Sequence, residues 1–562
     1  MDGMHAAELI ERLIAKGQAV VLAAIVGRER EAITEIFRTL DLCAYAFRMA
    51  PNRLDLVKRD VARHVMLMGA APSLQPLLAK VGSSRGPVPW GPSYAPFAAF
   101  MDNYLWRCGS LHSLHRLVSL ERYGLSRVRV ESDRRVVIEV ESGGAEAADR
   151  ASEHWWNGRQ LEAVGALEPL SAAQLERVRQ RLDERSKTAD DWSIQYSYDE
   201  ELMDRSLCRL RQLEPSWPEA TALADEALVG GRTFRQWKDA CCFAAAQALS
   251  HLEFCTRLRS TQKGLDLRNL MTRCRARSEI AQAWHASGYE PIWAATAMRS
   301  LTLDEKSSQG WISRYDTPFP FYVSLGPDFE LAPSMSALLN PFAGMVRHLR
   351  EHYPRDWDKA VFAREDRLRK EIAALLPSPR FKVSSSGIKL KRPDGSFLTD
   401  IDAVILDSQH GTVALLQIKW HDIFSRSLRE RESRRLNMLA AKDWIEKVHG
   451  WVADRDSAAI AHALGFKHLS ASQSGPPVLV VMTRHAARFS GEVSADPRST
   501  WVSWPEFARS LRECSLDADV LRIIANQHTP SECPTVEVHA DRPAGTMHYD
   551  FDGVNFTVVV AD

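Results

Sequence analysis

A chain of 562 residues is long enough for roughly two to four domains with sizeable cores. Its 45% apolar and 26% charged residues are those of an ordinary globular protein, which excludes a disordered, fibrous or disulfide-framework chain. The 72 basic residues balance 72 acidic ones, so there is no global bias toward nucleic acid and any surface for a polyanion has to be local.

The nine cysteines show no CxxC pair and no zinc spacing, which points to a reducing cytoplasm. The opening MDGMHAAELIERL is amphipathic and acidic, unlike a signal peptide. The longest apolar run, Ala19 to Val26, is far too short to span a bilayer, so no membrane partner is expected.

Helical spacing runs through His5 to Lys16, Arg28 to Leu40 and Leu54 to Met68. A Pro/Gly-rich break follows at Gly82 to Pro96. His112 and His115 then share a helix at a spacing that could bind metal, but no third ligand lies nearby. Leu125 to Ser142 switches to period two and reads as an exposed hairpin turning at Ser132-Asp133. Helices resume at Ser171, where Gln174 completes a capping-box pattern, and break around Ser186 to Trp192. Phe234 to Leu258 is long and largely apolar, the expected core of the N-terminal half. Lys306 to Pro333 reads as a linker with one strand, Phe321 to Leu325, and Met335 to Tyr353 as one helix. No P-loop or nucleotide-binding glycine fingerprint occurs.

Ala360 to Leu376 reads as an amphipathic helix ended by Pro377. Leu368, Ile372, Leu375 and Leu376 form its apolar stripe, with Glu365 inside the stripe and Glu371 off its edge, where it should be solvated. Leu398 to Trp420, LTDIDAVILDSQHGTVALLQIKW, carries two β-rich runs, Ile401–Leu406 and Thr412–Ile418, around a polar loop ending in Gly411. Pairing Asp407 with Thr412 puts Asp402 opposite Gln417, and alternation then sends Asp402, Gln417 and Lys419 to one face. Both faces are otherwise apolar, as in a covered sheet. A clustered Asp, Gln and Lys is costly there without a purpose.

Phe381 to Leu390 reads as a preceding strand, and Ile423 to Trp451 as a following helix. Pro477–Thr483 and Thr500–Trp504 read as further strands, and Pro505 opens another helix. Residues from Pro534 to Val560 read as two or three strands of a small β extension. Two basic runs flank the hairpin: Arg380, Lys382, Lys389, Lys391 and Arg392 before it, and Arg426, Arg429, Arg431, Arg434 and Arg435 after it. Bracketing one polar site, they read as phosphate contacts.

The pair TDIDAVI and LLQIKW resembles the PD-(D/E)XK nuclease superfamily, the restriction-endonuclease-like fold, over about residues 355 to 515. Gln417 stands where that family usually has an acid, a variation similar to that of Mrr-like nucleases. The resemblance implies an α/β domain with a mixed central sheet and metal-dependent phosphodiester hydrolysis, most readily of DNA. It implies Mg²⁺ or Mn²⁺ held by Asp402, Gln417, the main-chain carbonyl of Ile418 and a third carboxylate, best Glu365, with Asp400 in reserve. Lys419 would hold water or stabilise phosphate charge. Lys389, Lys391, Arg392, Arg426, Arg429 and Arg434 would touch the nucleic acid.

The whole chain then reads as multidomain. Residues 1–120 are helical, 121–305 a hairpin followed by helices, and 306–340 a linker. Residues 341–515 are nuclease-like and 516–562 a β tail. Antiphage defence or restriction fits by analogy, with the helical region recognising a target, a protein partner or a second copy. The alternative is a nuclease fold that lost activity and serves as a nucleic-acid platform or scaffold.

Overall fold

The computed structural model describes residues 2–49, 56–140, 145–190, 192–262, 264–422, 427–453, 455, 457–466, 475–485, 487, 496–515, 517–529 and 545–560. Its N-terminal region is mainly helical and its C-terminal part holds mixed sheets. No described helix is long and apolar enough to cross a membrane.

Helices Glu29–Met49, Leu56–Val81 and Ala95–Ser119 share one core around Phe37, Leu74 and Leu105. Phe234–Thr261 runs through a second core, its buried face including Trp237, Phe243 and Cys241 against Trp284 and Phe342. Thr233 and Gln236 close a capping box at its start, as Ser171 and Gln174 do further upstream.

The segment 306–340, expected as a linker, is folded. Phe329–Ala332 pairs antiparallel with Arg273–Ala276 and with Tyr322–Ser324, and Val323 and Leu331 are fully buried. Short polar and aromatic residues there line two cores instead of spacing domains. The expected helix Met335 to Tyr353 is two, Met335–Leu339 and Ala343–His352. Asn340 and Pro341 divide them, and Asn340 Oδ1 accepts from the Phe342 and Ala343 amides. The break at Ser186 is a hairpin of Ser186–Asp190 with Ser193–Tyr196.

The hairpin Ser126–Ser132/Arg135–Val140 is not wholly exposed. Val128, Val136 and Ile138 are buried against helices Asp2–Ala24 and Ala95–Ser119. Its outer strand continues into the tail: Val554–Val560 pairs parallel with Arg135–Val140, and Gly545–Phe551 closes the sheet. Lys16 and Arg107 both reach Asp552, at 3.1 and 3.0 Å. The β tail therefore belongs spatially with the N-terminal region.

The second half of the chain is built on a five-stranded mixed sheet. Its order is Phe381–Val383, Ala403–Asp407, Thr412–Lys419, Val478–Thr483, Thr500–Ser503. The first three strands are antiparallel neighbours and the last three parallel. The long helix Leu428–Ala453 covers one face through Met438, Trp444, Ile445 and Val448. Helices Arg364–Leu375, Trp504–Glu513 and Val520–His528 cover the other. Both faces of the central strands are thus buried, matching their unbroken apolar sequence. Helix Val520–His528 lies past residue 515, so this unit reaches further along the chain than expected.

The expected strand Phe381 to Leu390 is split. Ser384 ends its pairing with Val404, donating through its amide and accepting at its hydroxyl. The chain then turns at Ser385 to Gly387, and Ile388–Lys391 pairs instead with Phe397–Ile401 as a separate two-stranded ribbon.

Candidate active site

The site hairpin has the expected register: Asp407 faces Thr412 and Ala403 faces Leu416. Gly411, at φ +69°, closes its loop in a left-handed conformation that suits glycine. The two β-rich runs are not both continuous strands. The first bends at Asp402, between Phe397–Ile401 and Ala403–Asp407.

That bend builds the site. The Asp402 amide still donates to the Leu416 carbonyl at 2.9 Å. One residue pair further, the Asp400 carbonyl has turned away to accept from Trp444 Nε1 at 2.7 Å. The Ile418 amide is met by Asp402 Oδ2 at 2.7 Å, and Gln417 Nε2 donates to the same oxygen. Asp402 and Gln417 are 6% and 7% exposed, so these bonds stand in little competition with water. Arg369 Nε holds the Asp402 carbonyl at 2.6 Å.

Asp402 Oδ1 has no hydrogen-bond partner among the described residues and is not sealed from solvent. Lys419, half-buried, ends the strand, and its ammonium pairs with no described carboxylate. Its neighbour in parallel register is Thr483, 1% exposed, whose hydroxyl also lacks a partner. Gln417, Lys419 and Thr483 thus share one face at the carboxyl ends of parallel strands, where open α/β sheets place their ligands.

Burial pushes the Asp402 carboxyl above the usual range, and Asp400 adds to the rise; the Ile418 amide, Lys419 and Gln417 oppose it. The Glu365 carboxyl is raised too, first by lost hydration, then by Asp402, with Asp400 adding and Lys419 opposing. Glu365 thus lies within electrostatic reach of Asp402, Asp400 and Lys419.

It is not, however, the buried stripe acid expected. Its helix begins at Arg364, and Glu365 lies exposed in the first turn with no hydrogen bond to Asp402 or Gln417. Arg364, Leu368, Arg369 and Ile372 occupy the buried face. Asp400 is exposed on the ribbon. Glu371, expected in solvent, pairs with Arg484, a 3% exposed side chain. Trp420 and Trp504 lie over that guanidinium at 4.6 and 5.9 Å.

The basic runs divide. Lys389 and Lys391 are exposed and free of ion pairs among the described residues, and Arg429 is exposed. Arg392 is exposed but spent on its own turn, donating to the Phe397 carbonyl at 2.6 Å and Ser396 Oγ at 3.2 Å. Arg434 is turned inward, toward the Asp422 carbonyl at 3.3 Å and Glu430 at 3.7 Å, which removes it as a surface phosphate contact. Arg435 pairs with Glu432. Arg426 lies outside the described residues.

A polar layer follows Lys419 directly. Asp422 pairs with Arg364 at 2.5 Å and Arg350 at 3.3 Å, linking this loop to the helical region. Burial drives His421 down to about 4 and His485 to about 3, so both are neutral imidazoles. Arg369, Asp422 and Thr483 were not singled out from sequence. The signal for Thr483 was present: it is the first polar residue after the buried run Val478–Met482.

His112 and His115 do not form a metal pair. His112 is buried between the Met68 and Ile312 carbonyls, and His115 bonds Tyr315 and Glu11. Among the described residues no three His, Cys, Asp or Glu side chains are grouped as a metal site would require. The oxygen donors at Asp402 are instead its own carboxylate and the Gln417 side-chain amide, with the exposed Glu365 carboxylate within electrostatic reach. Oxygen donors of this kind suit a hard cation that keeps several waters better than a transition metal.

No protein-family model, curated protein or solved structure matches this chain.

Proposed function

We propose that this chain is a metal-dependent nuclease of PD-(D/E)XK type, acting on DNA, with its site at Asp402, Gln417 and Lys419. The observation that carries the reading is the bend at Asp402. It fixes one carboxylate oxygen on the Ile418 amide and leaves the other without a partner among the described residues, within electrostatic reach of Lys419. Asp402, Gln417 and the Ile418 carbonyl would hold Mg²⁺ or Mn²⁺, with Glu365 acting through water from the mouth. Such an ion, when bound, supplies positive charge at the scissile phosphate and a more acidic water.

The chain's own residues do the rest. Arg369 and the Ile418 amide keep Asp402 from rotating. Lys419 orients water or meets the charge developing on a phosphate oxygen. Neutral His421 adds no charge beside the ammonium, and Asp422 behind it is taken up by Arg364.

A second reading has one observation in its favour. Among the described residues the site interior holds a single carboxylate, and Gln417 is engaged with it, as in a fold retained for binding alone. Incubating the purified protein with supercoiled, linear and single-stranded DNA and with RNA, in Mg²⁺ or Mn²⁺, decides. Cleavage that is lost in chelator, Asp402→Ala and Lys419→Ala supports the enzyme. Absence of cleavage on every substrate, with both variants biologically active, supports the binding protein.

A further inference from the structure

The ribbon beside the site has two unlike faces. Ile388, Leu390, Leu398 and Ile401 turn toward the core under the long helix. Lys389, Lys391, Asp400 and Phe397 are all exposed. In register, Lys389 stands opposite Asp400, and Lys391 opposite Phe397, where a bulge shifts the ladder. Phe397 is 57% exposed, an apolar ring on an otherwise charged surface. The turn beyond it is held by side-chain hydrogen bonds, Arg392 donating to Ser396 Oγ and the Phe397 carbonyl, and Gly395 takes φ +83°. One end of this outer face adjoins the site, since Asp400, opposite Lys389, lies two residues from Asp402.

We propose that this face seats an unpaired stretch of nucleic-acid strand leading into the site, with phosphates against Lys389 and Lys391 and a base stacked on Phe397. The inference rests on the nuclease reading and narrows its substrate to strands with a single-stranded or frayed segment. Charge complementarity selects a polyanion, because Lys389 and Lys391 form no ion pair among the described residues, not even Lys389 with Asp400 opposite it. The phenyl ring selects an unstacked base, since a base inside a duplex has both faces covered. Groove reading by a ribbon would instead call for Arg, Asn or Gln aimed at base edges. This face has none, and its one arginine is held in the turn. From Asp402 to Phe397 the strand spans about 16 Å, at about 3.3 Å per residue. That corresponds to roughly five nucleotides of a stacked strand at about 3.4 Å each.

Fluorescence anisotropy with labelled oligonucleotides in chelator measures binding without cleavage. The wild type should bind a single strand more tightly than the blunt duplex of the same sequence. Phe397→Ala should weaken single-strand binding by about tenfold or more, and Phe397→Tyr should restore it. The double variant Lys389→Gln/Lys391→Gln should lower the slope of log affinity against log salt by about 1.4. All these positions are exposed, and circular dichroism checks that the variants fold. Preference for the blunt duplex, or variants that bind and cleave like wild type, overturns this inference and leaves the nuclease reading standing. A wild type that neither binds nor cleaves any nucleic acid overturns both.

Discussion

The Ile418 amide donates to a side chain, Asp402 Oδ2 at 2.7 Å, and not to a neighbouring strand's carbonyl. The carboxylate thus completes a sheet ladder, and the position has a structural as well as a chemical role. Asn can accept the same bond without the charge. Because the Asp402 carboxyl is raised in the fold, the folded state binds its proton more readily than the unfolded chain. Stability from this group is therefore lost as pH rises from about 4 through the raised value. Asp402→Asn should abolish cleavage while raising the thermal midpoint at pH 8, with the gain shrinking as pH falls through the raised value. Asp402→Ala should be inactive and less stable than Asn throughout.

Gln417→Glu probes the metal. In the wild type the amide donates to Asp402; Glu would set two carboxylates in contact in a site shielded from water. Like charges so placed raise each other's pKa and destabilise the metal-free fold. A divalent cation relieves that repulsion. The variant should melt lower than wild type in chelator and gain more from Mg²⁺, reading as a tighter apparent affinity in a thermal-shift titration. An unchanged metal dependence would mean that Gln417 does not touch the ion.

Glu371 and Arg484 form a largely buried pair between helix and sheet. Removing one partner of such a pair leaves an uncompensated charge, costing about 3–5 kcal/mol. Glu371→Ala should therefore be strongly destabilising. The double variant Glu371→Leu/Arg484→Met should recover most of the loss, and tryptophan emission should follow both through Trp420 and Trp504.

Asp41 tests the helical region. Fully buried, it accepts from Thr272 Oγ1 at 2.6 Å and from the Ser334 and Met335 amides at 2.9 and 2.8 Å. Burial pushes its carboxyl up to about 7, against these bonds. Its contribution to stability falls as pH rises from about 4 to 7, so Asp41→Asn should flatten the pH dependence of unfolding in that window. Asp41→Ala, which orphans three donors, should cost about 2–4 kcal/mol in denaturant unfolding.

The register of the site hairpin was legible because strand alternation and a short loop leave one pairing that buries Val404, Leu406, Val413 and Leu415 together. The place of Glu365 was not. The stripe itself holds, with Leu368, Ile372 and Leu376 buried, but the helix starts only at Arg364 and leaves Glu365 exposed in its first turn. The basic run in the long helix misled for another reason. Arg434 pairs with Glu430 and reaches the Asp422 carbonyl, in a loop whose position the sequence does not give, and Arg435 pairs with Glu432. Nor could composition reveal that the β tail joins a strand formed near the other end of the chain.

That union has a consequence for biosynthesis. Arg135–Val140 emerges from the ribosome long before Val554–Val560, and until then it is an unpaired edge rich in Val and Ile. Such edges template aggregation. A nascent chain would carry the liability through most of its translation, and a protease nick that released the tail would re-expose it in the finished protein.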